Sequence, residues 1–145
     1  MKKLRNAQAF VRLLQKEKKI DIVVTSLAAS DDPDGQFNEL LRLGPADDIK
    51  DLRKRGWIGD VQWRPYSKEG PIVTPTGIRS VTLFELDDLV RLAQSPRKHV
   101  ILVGSPSLRG KSKGKAIRPL LERPNLRVFN HLILDVPTAT DLLAL

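Results

Sequence analysis

Lys98–Leu121, KHVILVGSPSLRGKSKGKAIRPLL, falls into three consecutive pieces: a buried strand over His99–Val103, a loop bearing glycine and serine, and the start of a basic helix. A parallel strand that feeds a helix sets the helix's unpaired N–H groups, with their partial positive charge, at the strand's carboxyl end. Arg109, Lys111, Lys113 and Lys115 add four cations to the same short stretch. The pattern predicts an anion site, with phosphate the best match.

Working outward, the segment before this strand predicts a second α/β element. Leu4, Ala7, Phe10 or Val11, and Leu14 recur at helical spacing, so residues 3–18 read as an amphipathic helix with lysines on its outer face. Ile20–Leu27 (IDIVVTSL) follows at once as a β-branched run, the mark of a strand buried on both faces. Ala28–Gly35 is a polar turn. Short helices are expected around Phe37–Leu43 and over Asp47–Lys54, the latter with acids at its start, bases at its end and Gly56 as its cap.

Trp57, Val61 and Trp63 alternate along Trp57–Arg64, the period of a strand. Ser67–Pro71 is a turn, Ile72 and Val73 resume extended chain, and the whole reads as an antiparallel hairpin excursion. A further extended piece is expected over Gly77–Val81. Thr82 and Glu85 match a capping box that opens a helix to Gln94, with Leu86, Leu89, Val90 and Ala93 inward. After the central loop a helix lies within residues 112–123, beginning near Ala116 or bending at Pro119. His131–Asp135 is a last buried strand, and Pro137–Leu145 a terminal helix. The order predicts an α/β fold, a mostly parallel sheet flanked by helices.

At 145 residues, 41% of them apolar, residues 1–145 make one folded domain. Without cysteine there is neither a disulfide framework nor a thiolate metal site. No apolar run approaches the roughly 20 residues that span a bilayer, and no apolar core follows the basic opening, so the cytoplasm is expected. The net charge of +8 is segregated: residues 1–19 hold seven Lys/Arg and one acid, and residues 96–127 hold nine and one. The remainder is net negative. Such a distribution favours an anionic partner at particular faces, although a solvated basic surface produces it too.

Several chemistries are poorly matched. Gly104–Ser112 approximates a Walker A loop but has five residues between its glycines where the motif needs four. His99 and His131 head strands with no partner nearby in sequence and read as structural. Asp31, Asp32 and Asp34 lack the full calcium-loop pattern and read as a solvated turn. Trp57 and Trp63 read as core on one strand face. No helix-turn-helix or basic heptad is visible. No metal or cofactor is expected.

Five motifs in order carry a resemblance: IDIVVTSLAASDDPDGQF, LRKRGWIGDVQWRPYSKEGPIV, GIRSVTLFELDDL, HVILVGSPSLRGKSKGKAIRPLL and HLILDVPTATDLL. Together they resemble the effector domain of SorC/DeoR-type bacterial transcriptional regulators. Gly59-Asp60 with Gly70 is similar to that family's G-D-[ILV]…G hairpin. Lys113 to Ile117 is similar to its K-x-x-A-I helix start, and Asp135 with Ala139 to the end of its last strand. The resemblance implies a sugar-isomerase-like fold, that of glucosamine-6-phosphate deaminase and ribose-5-phosphate isomerase, binding a phosphorylated sugar without turning it over. It places Lys113 on the effector and Gly104 and Ser105 in the lining loop. It also implies that about the C-terminal half of the domain is present, with DNA contacted only through a separate domain or chain. Departures from the family are Gly104-Ser105-Pro106 in place of A-G-G, Val136 in place of an acid, and Val24-Thr25-Ser26-Leu27 in place of V-G-I-G.

The expected function is therefore a non-enzymatic effector-sensing domain of a regulator. It would bind a sugar phosphate or similar small anion through Gly104, Ser105, Arg109, Lys111, Lys113 and Lys115, and form homo-oligomers. The alternative is a degenerate relative that oligomerises or binds nucleic acid non-specifically through its basic faces. An isomerase-like enzyme would need a general base, for which Asp60 and Asp135 are the candidates.

Overall fold

A computed structural model of the protein describes residues 19–43, 46–72, 80 and 82–144. The helix predicted over residues 3–18 lies outside them, as does the extended piece at Gly77–Val81 apart from Ser80. The elements run β1 (Ile22–Ala29), α1 (Gln36–Leu43), α2 (Ala46–Lys54), β2 (Gly59–Val61), β3 (Arg64–Tyr66), α3 (Leu86–Gln94), β4 (His99–Gly104), α4 (Gly114–Glu122), β5 (His131–Leu134) and α5 (Val136–Ala144), with a 3₁₀ turn at Pro124–Leu126. They form one sheet in the order β3-β2-β1-β4-β5. β1, β4 and β5 are parallel, with Val23 beside Val100 and Val103 beside Ile133, whereas β2 and β3 run antiparallel at one edge. The predicted class holds: a mostly parallel α/β sheet with an antiparallel excursion.

The core lies where β1 and β4 meet α3 and α4. Val23, Leu27, Val100 and Leu102 on one sheet face pack with Leu86 and Leu89 of α3 and Ala116, Ile117 and Leu120 of α4. Both helices share this face because β1→β4 and β4→β5 step the same way across the sheet, and right-handed crossovers then place their helices on one side. A second cluster gathers Phe37, Ile49, Leu52 and Trp57, and the Phe37 ring stands edge-on to both Trp57 and Trp63 at 5.3 Å. Trp57 is a core residue, as expected, and Trp63 packs half-buried against the same cluster, although the two do not share a strand face.

The structure corrects four local readings. β1 starts and ends two residues later than predicted and is not covered on both faces, since Ile22 and Val24 stand 60% and 67% exposed. Trp57–Arg64 is not one strand. Gln62 and Trp63 adopt positive φ (51° and 61°) and reverse the chain between β2 and β3, a turn the sequence did not show. Such a two-residue turn matches the twist of the flanking strands, but it usually shows itself in sequence as Asn-Gly, which is absent. The expected turn at Ser67–Pro71 is present as a second reversal, with Tyr66 bridged antiparallel to Pro71 and the Ile72 N–H donating to the Pro65 carbonyl at 2.9 Å. The capping box opening α3 uses Glu85 and Asp88, three residues after the predicted pair: Asp88 Oδ2 accepts the Glu85 N–H at 2.8 Å. Finally, α4 begins at Gly114 and runs through Pro119. Burial of Ala116, Ile117, Pro119 and Leu120 outweighs the bond that proline cannot donate.

Candidate functional site

Carboxyl ends of parallel strands, with the loops and helix starts that follow them, are where open α/β sheets hold ligands. Here three such ends converge: Ala29 and the loop 30–35 after β1, Gly104 and the loop 105–113 after β4, and Asp135 after β5.

Gly104 is buried, and a Cβ there would stand 2.8 Å from Ile117 Cδ1 and Leu134 Cδ2. Its lack of a side chain lets α4 and β5 close on β4. Ser105 follows it on the surface. The loop beyond is bound to itself. Ser107 Oγ accepts the N–H groups of Arg109 and Lys111 at 3.3 and 3.2 Å, Ser107 N donates to Lys111 O, and Gly110 turns the chain at φ +74°. A serine oxygen thus sits in the small N–H cradle that a phosphate loop would offer to its ligand.

The four predicted cations separate into distinct environments. Arg109 makes a two-pronged bond to Asp34, at 3.0 and 3.2 Å. The Lys111 ammonium meets the Asp31 carboxylate at 2.9 Å and the Asp31 carbonyl at 3.0 Å. Lys113 is half-buried and donates to the Leu27 carbonyl at the end of β1, 3.0 Å away. Lys115 is exposed, one residue into α4. The acidic stretch Asp31–Asp34, read from sequence as a solvated turn, in fact answers the basic loop across the end of the sheet.

Two clefts flank this contact. One of about 350 Å³ opens at the N-terminus of α4 and is lined by Asp31, Lys111, Ser112, Gly114, Lys115 and Asp141. The other, about 420 Å³, lies beside the Arg109–Asp34 pair. The first joins three predicted features, the helix start, Lys111 and Lys115, to two carboxylates, Asp31 and Asp141, that local reading did not include. Cations and carboxylates around a helix N-terminus suit a ligand carrying both an anion and hydroxyl groups.

Asp60 sits beneath this end of the sheet. Burial pushes its carboxyl up to about 7, against a bond from the Trp63 backbone N–H and the nearby Lys113 ammonium, which both favour the anion. Its Oδ2 is enclosed and without a partner. Burial, with Asp60 adding to it, likewise holds the Tyr66 phenol well above its usual range, and the hydroxyl donates to the Ala116 carbonyl at 2.9 Å. Of the two base candidates, Asp60 therefore keeps an enclosed carboxyl oxygen, and Asp135 Oδ1 is buried without a partner as well. His99 and His131, unpartnered in the sequence reading, face one another across β4 and β5, Nδ1 to Nε2 at 2.9 Å. Among the described residues no cluster of three or more metal-ligating side chains occurs, and no helix is long and apolar enough to cross a membrane.

No protein-family model and no curated protein matches the sequence. Solved structures do match. The full-length sorbitol operon regulator SorC of Klebsiella pneumoniae superposes with a TM-score of 0.74 at 20% identity, over 98% of this chain and 41% of that one. A transcriptional repressor domain of Vibrio fischeri, assigned by its describers a sugar-binding role, gives 0.71 at 19%, over 97% and 51%. A DeoR family transcriptional regulator of Listeria monocytogenes gives 0.70 at 16%, over 97% and 51%. The chain thus shares the fold of domains found in SorC- and DeoR-type regulators, the proteins its sequence motifs resemble. It spans about half the length of these neighbours, or less.

Proposed function

We propose that this chain is an effector-sensing domain of a transcriptional regulator and takes a phosphorylated sugar in the cleft at the start of α4. The observation that carries the reading is the mixed lining of that cleft. Lys111, Lys115 and the α4 N-terminus offer a phosphate site, while Asp31 and Asp141 can accept bonds from sugar hydroxyls. The domain would act without catalysis, as one part of a longer effector domain, within a homo-oligomer, and would reach DNA through a separate domain or chain. Lys113 would act from below: its bond to the Leu27 carbonyl links the α4 start to the end of β1. Gly104, Ser105 and Arg109 would shape the lining loop rather than bind phosphate directly. The rival reading, non-specific nucleic-acid binding through the basic faces, is separated by salt: such affinity falls steeply as counterions are released, whereas a cleft holding one phosphate responds mildly.

The test is a thermal-shift screen with sugar phosphates, their unphosphorylated counterparts and inorganic phosphate, on wild type, Lys111→Ala and Lys115→Ala. A ligand that binds only the folded state adds about 2.7 kcal/mol at one hundred times its Kd. A rise specific to phosphorylated sugars and lost in Lys115→Ala is expected. Equal rises with inorganic phosphate would reduce the site to a general anion pocket, and no rise with any compound would end the proposal.

A further inference from the structure

His99 and His131 are the only histidines in the chain, 32 residues apart in sequence, and the fold brings them together. They stand at the amino ends of β4 and β5, the opposite end of the sheet from the cleft at the start of α4. His131 pairs in register with Ile101, two residues along from His99, so both imidazoles rise from one sheet face. Both side chains are exposed, and His99 Nδ1 is 2.9 Å from His131 Nε2. With ring centroids 5.1 Å apart, the two nitrogens point at each other.

The backbone beneath the pair is held firmly. Asn130, the residue before His131, accepts the Val100 N–H at 2.9 Å and donates to the Lys98 carbonyl at 2.8 Å, gripping the chain on both sides of His99. The His99 N–H donates to the Asp21 carbonyl at 2.8 Å. The neighbouring Lys98 ammonium is turned to the Asp21 carboxylate and the Ile20 carbonyl, at 2.9 and 2.7 Å, so its charge is answered away from the imidazoles.

We propose that His99 and His131 chelate a divalent transition-metal ion of the copper or nickel class. Imidazole nitrogens lie about 2.0–2.1 Å from such an ion, so two of them are about 2.9 Å apart at a right angle and about 3.3 Å apart at the tetrahedral angle. The observed 2.9 Å matches the right angle, which square-planar copper(II) and nickel(II) favour and tetrahedral zinc does not. Water takes the remaining positions, since no third metal-ligating side chain is grouped with the pair among the described residues.

Two adjustments admit the ion. The present contact places one N–H between the rings, whichever histidine donates it. On binding, that proton passes through solvent to the same ring's other nitrogen, Nε2 of His99 or Nδ1 of His131. Both facing nitrogens then present lone pairs, and a neutral pair loses no proton overall. Each ring also swings outward by roughly 45° about its broad terminal torsion, so that the lone pairs converge on the ion. The hydrogen bond given up joins exposed groups for which water competes, so little is lost with it.

The test is calorimetric titration of the full chain with copper(II), nickel(II), zinc(II) and magnesium salts, beside His99→Gln and His131→Gln. No cysteine and no other histidine supplies a background site. The expected result is one ion per chain, copper bound ahead of nickel and zinc, and no response to magnesium. The electron paramagnetic resonance spectrum of the copper form should show two nitrogen ligands, and each substitution should weaken binding at least tenfold. Circular dichroism checks that both variants, altered only at exposed side chains, stay folded. Binding unchanged in the variants would overturn the proposal and leave an adventitious ion only. So would zinc bound ahead of copper, one ion shared between two chains, or no Kd tighter than about 1 mM for any of the salts.

Discussion

Asp60 makes the pH dependence of stability a sharp test of this structure. Its carboxyl is buried and raised from an ordinary value of 3.8 to about 7, chiefly because the surrounding core disfavours the anion. The folded chain therefore keeps a proton that the unfolded chain has lost across that interval. Stability from this group is complete below about pH 4, falls as pH rises, and levels off above about pH 7. A shift of roughly three units corresponds to about 4 kcal/mol, a slope near 1.4 kcal/mol per pH unit. Asp60→Asn removes the titration but leaves amide hydrogens where Oδ2 now has no partner, at a cost of about 1–3 kcal/mol. The measurement is urea unfolding of both proteins from pH 4 to pH 8. The difference curve cancels groups unaffected by the substitution, such as Asp21, whose carboxyl is held below its usual range by Lys98. Asn is expected to be the less stable form near pH 4 and to gain steadily on Asp up to pH 7. A difference curve flat to within about 0.5 kcal/mol would refute the claim that Asp60 is folded in as the neutral acid.

Two other substitutions probe the architecture that supports the site. A Cβ at Gly59 would stand 2.5 Å from the Tyr66 hydroxyl and 2.9 Å from the Ala28 carbonyl, so Gly59→Ala should cost about 2–3 kcal/mol in chemical denaturation as β2 is forced from β1. An unchanged midpoint would mean that the hairpin is looser than described. Glu85 pairs with the buried Arg64 guanidinium, which also bonds the Ser80 carbonyl at 3.2 Å. Glu85→Ala strands that charge and removes the start of the capping box, and a loss of about 3–5 kcal/mol is expected, with Arg64→Met in the same background recovering part of it.

Much of the fold was written locally. The β-branched runs of β1, β4 and β5, the acids and bases at the two ends of α2, and the Gly59-Asp60 and Lys113–Ile117 motifs all act over a few residues, where side-chain period and backbone preference decide the outcome. These were sufficient for the class of fold, the three parallel strands with their helices and the position of the loop at the carboxyl end of β4. The helix start with Lys111 and Lys115 was legible for the same reason. The hairpin turn was not, because Gln62 and Trp63 carry no turn signature and hold positive φ while the Trp63 ring packs on Phe37. Nor was the pairing of Arg109 with Asp34 and of Lys111 with Asp31, side chains 75 and 80 residues apart. Charges so distant meet only when the sheet aligns the two loops, and Asp60 becomes an unusual acid only when α4 and the hairpin exclude water from it. Sequence by itself determined the class of fold, the three parallel strands with their helices and a basic loop at a strand end. Tertiary structure alone decided which charges were left to face a ligand, because neutralisation and desolvation depend on distance in space rather than along the chain.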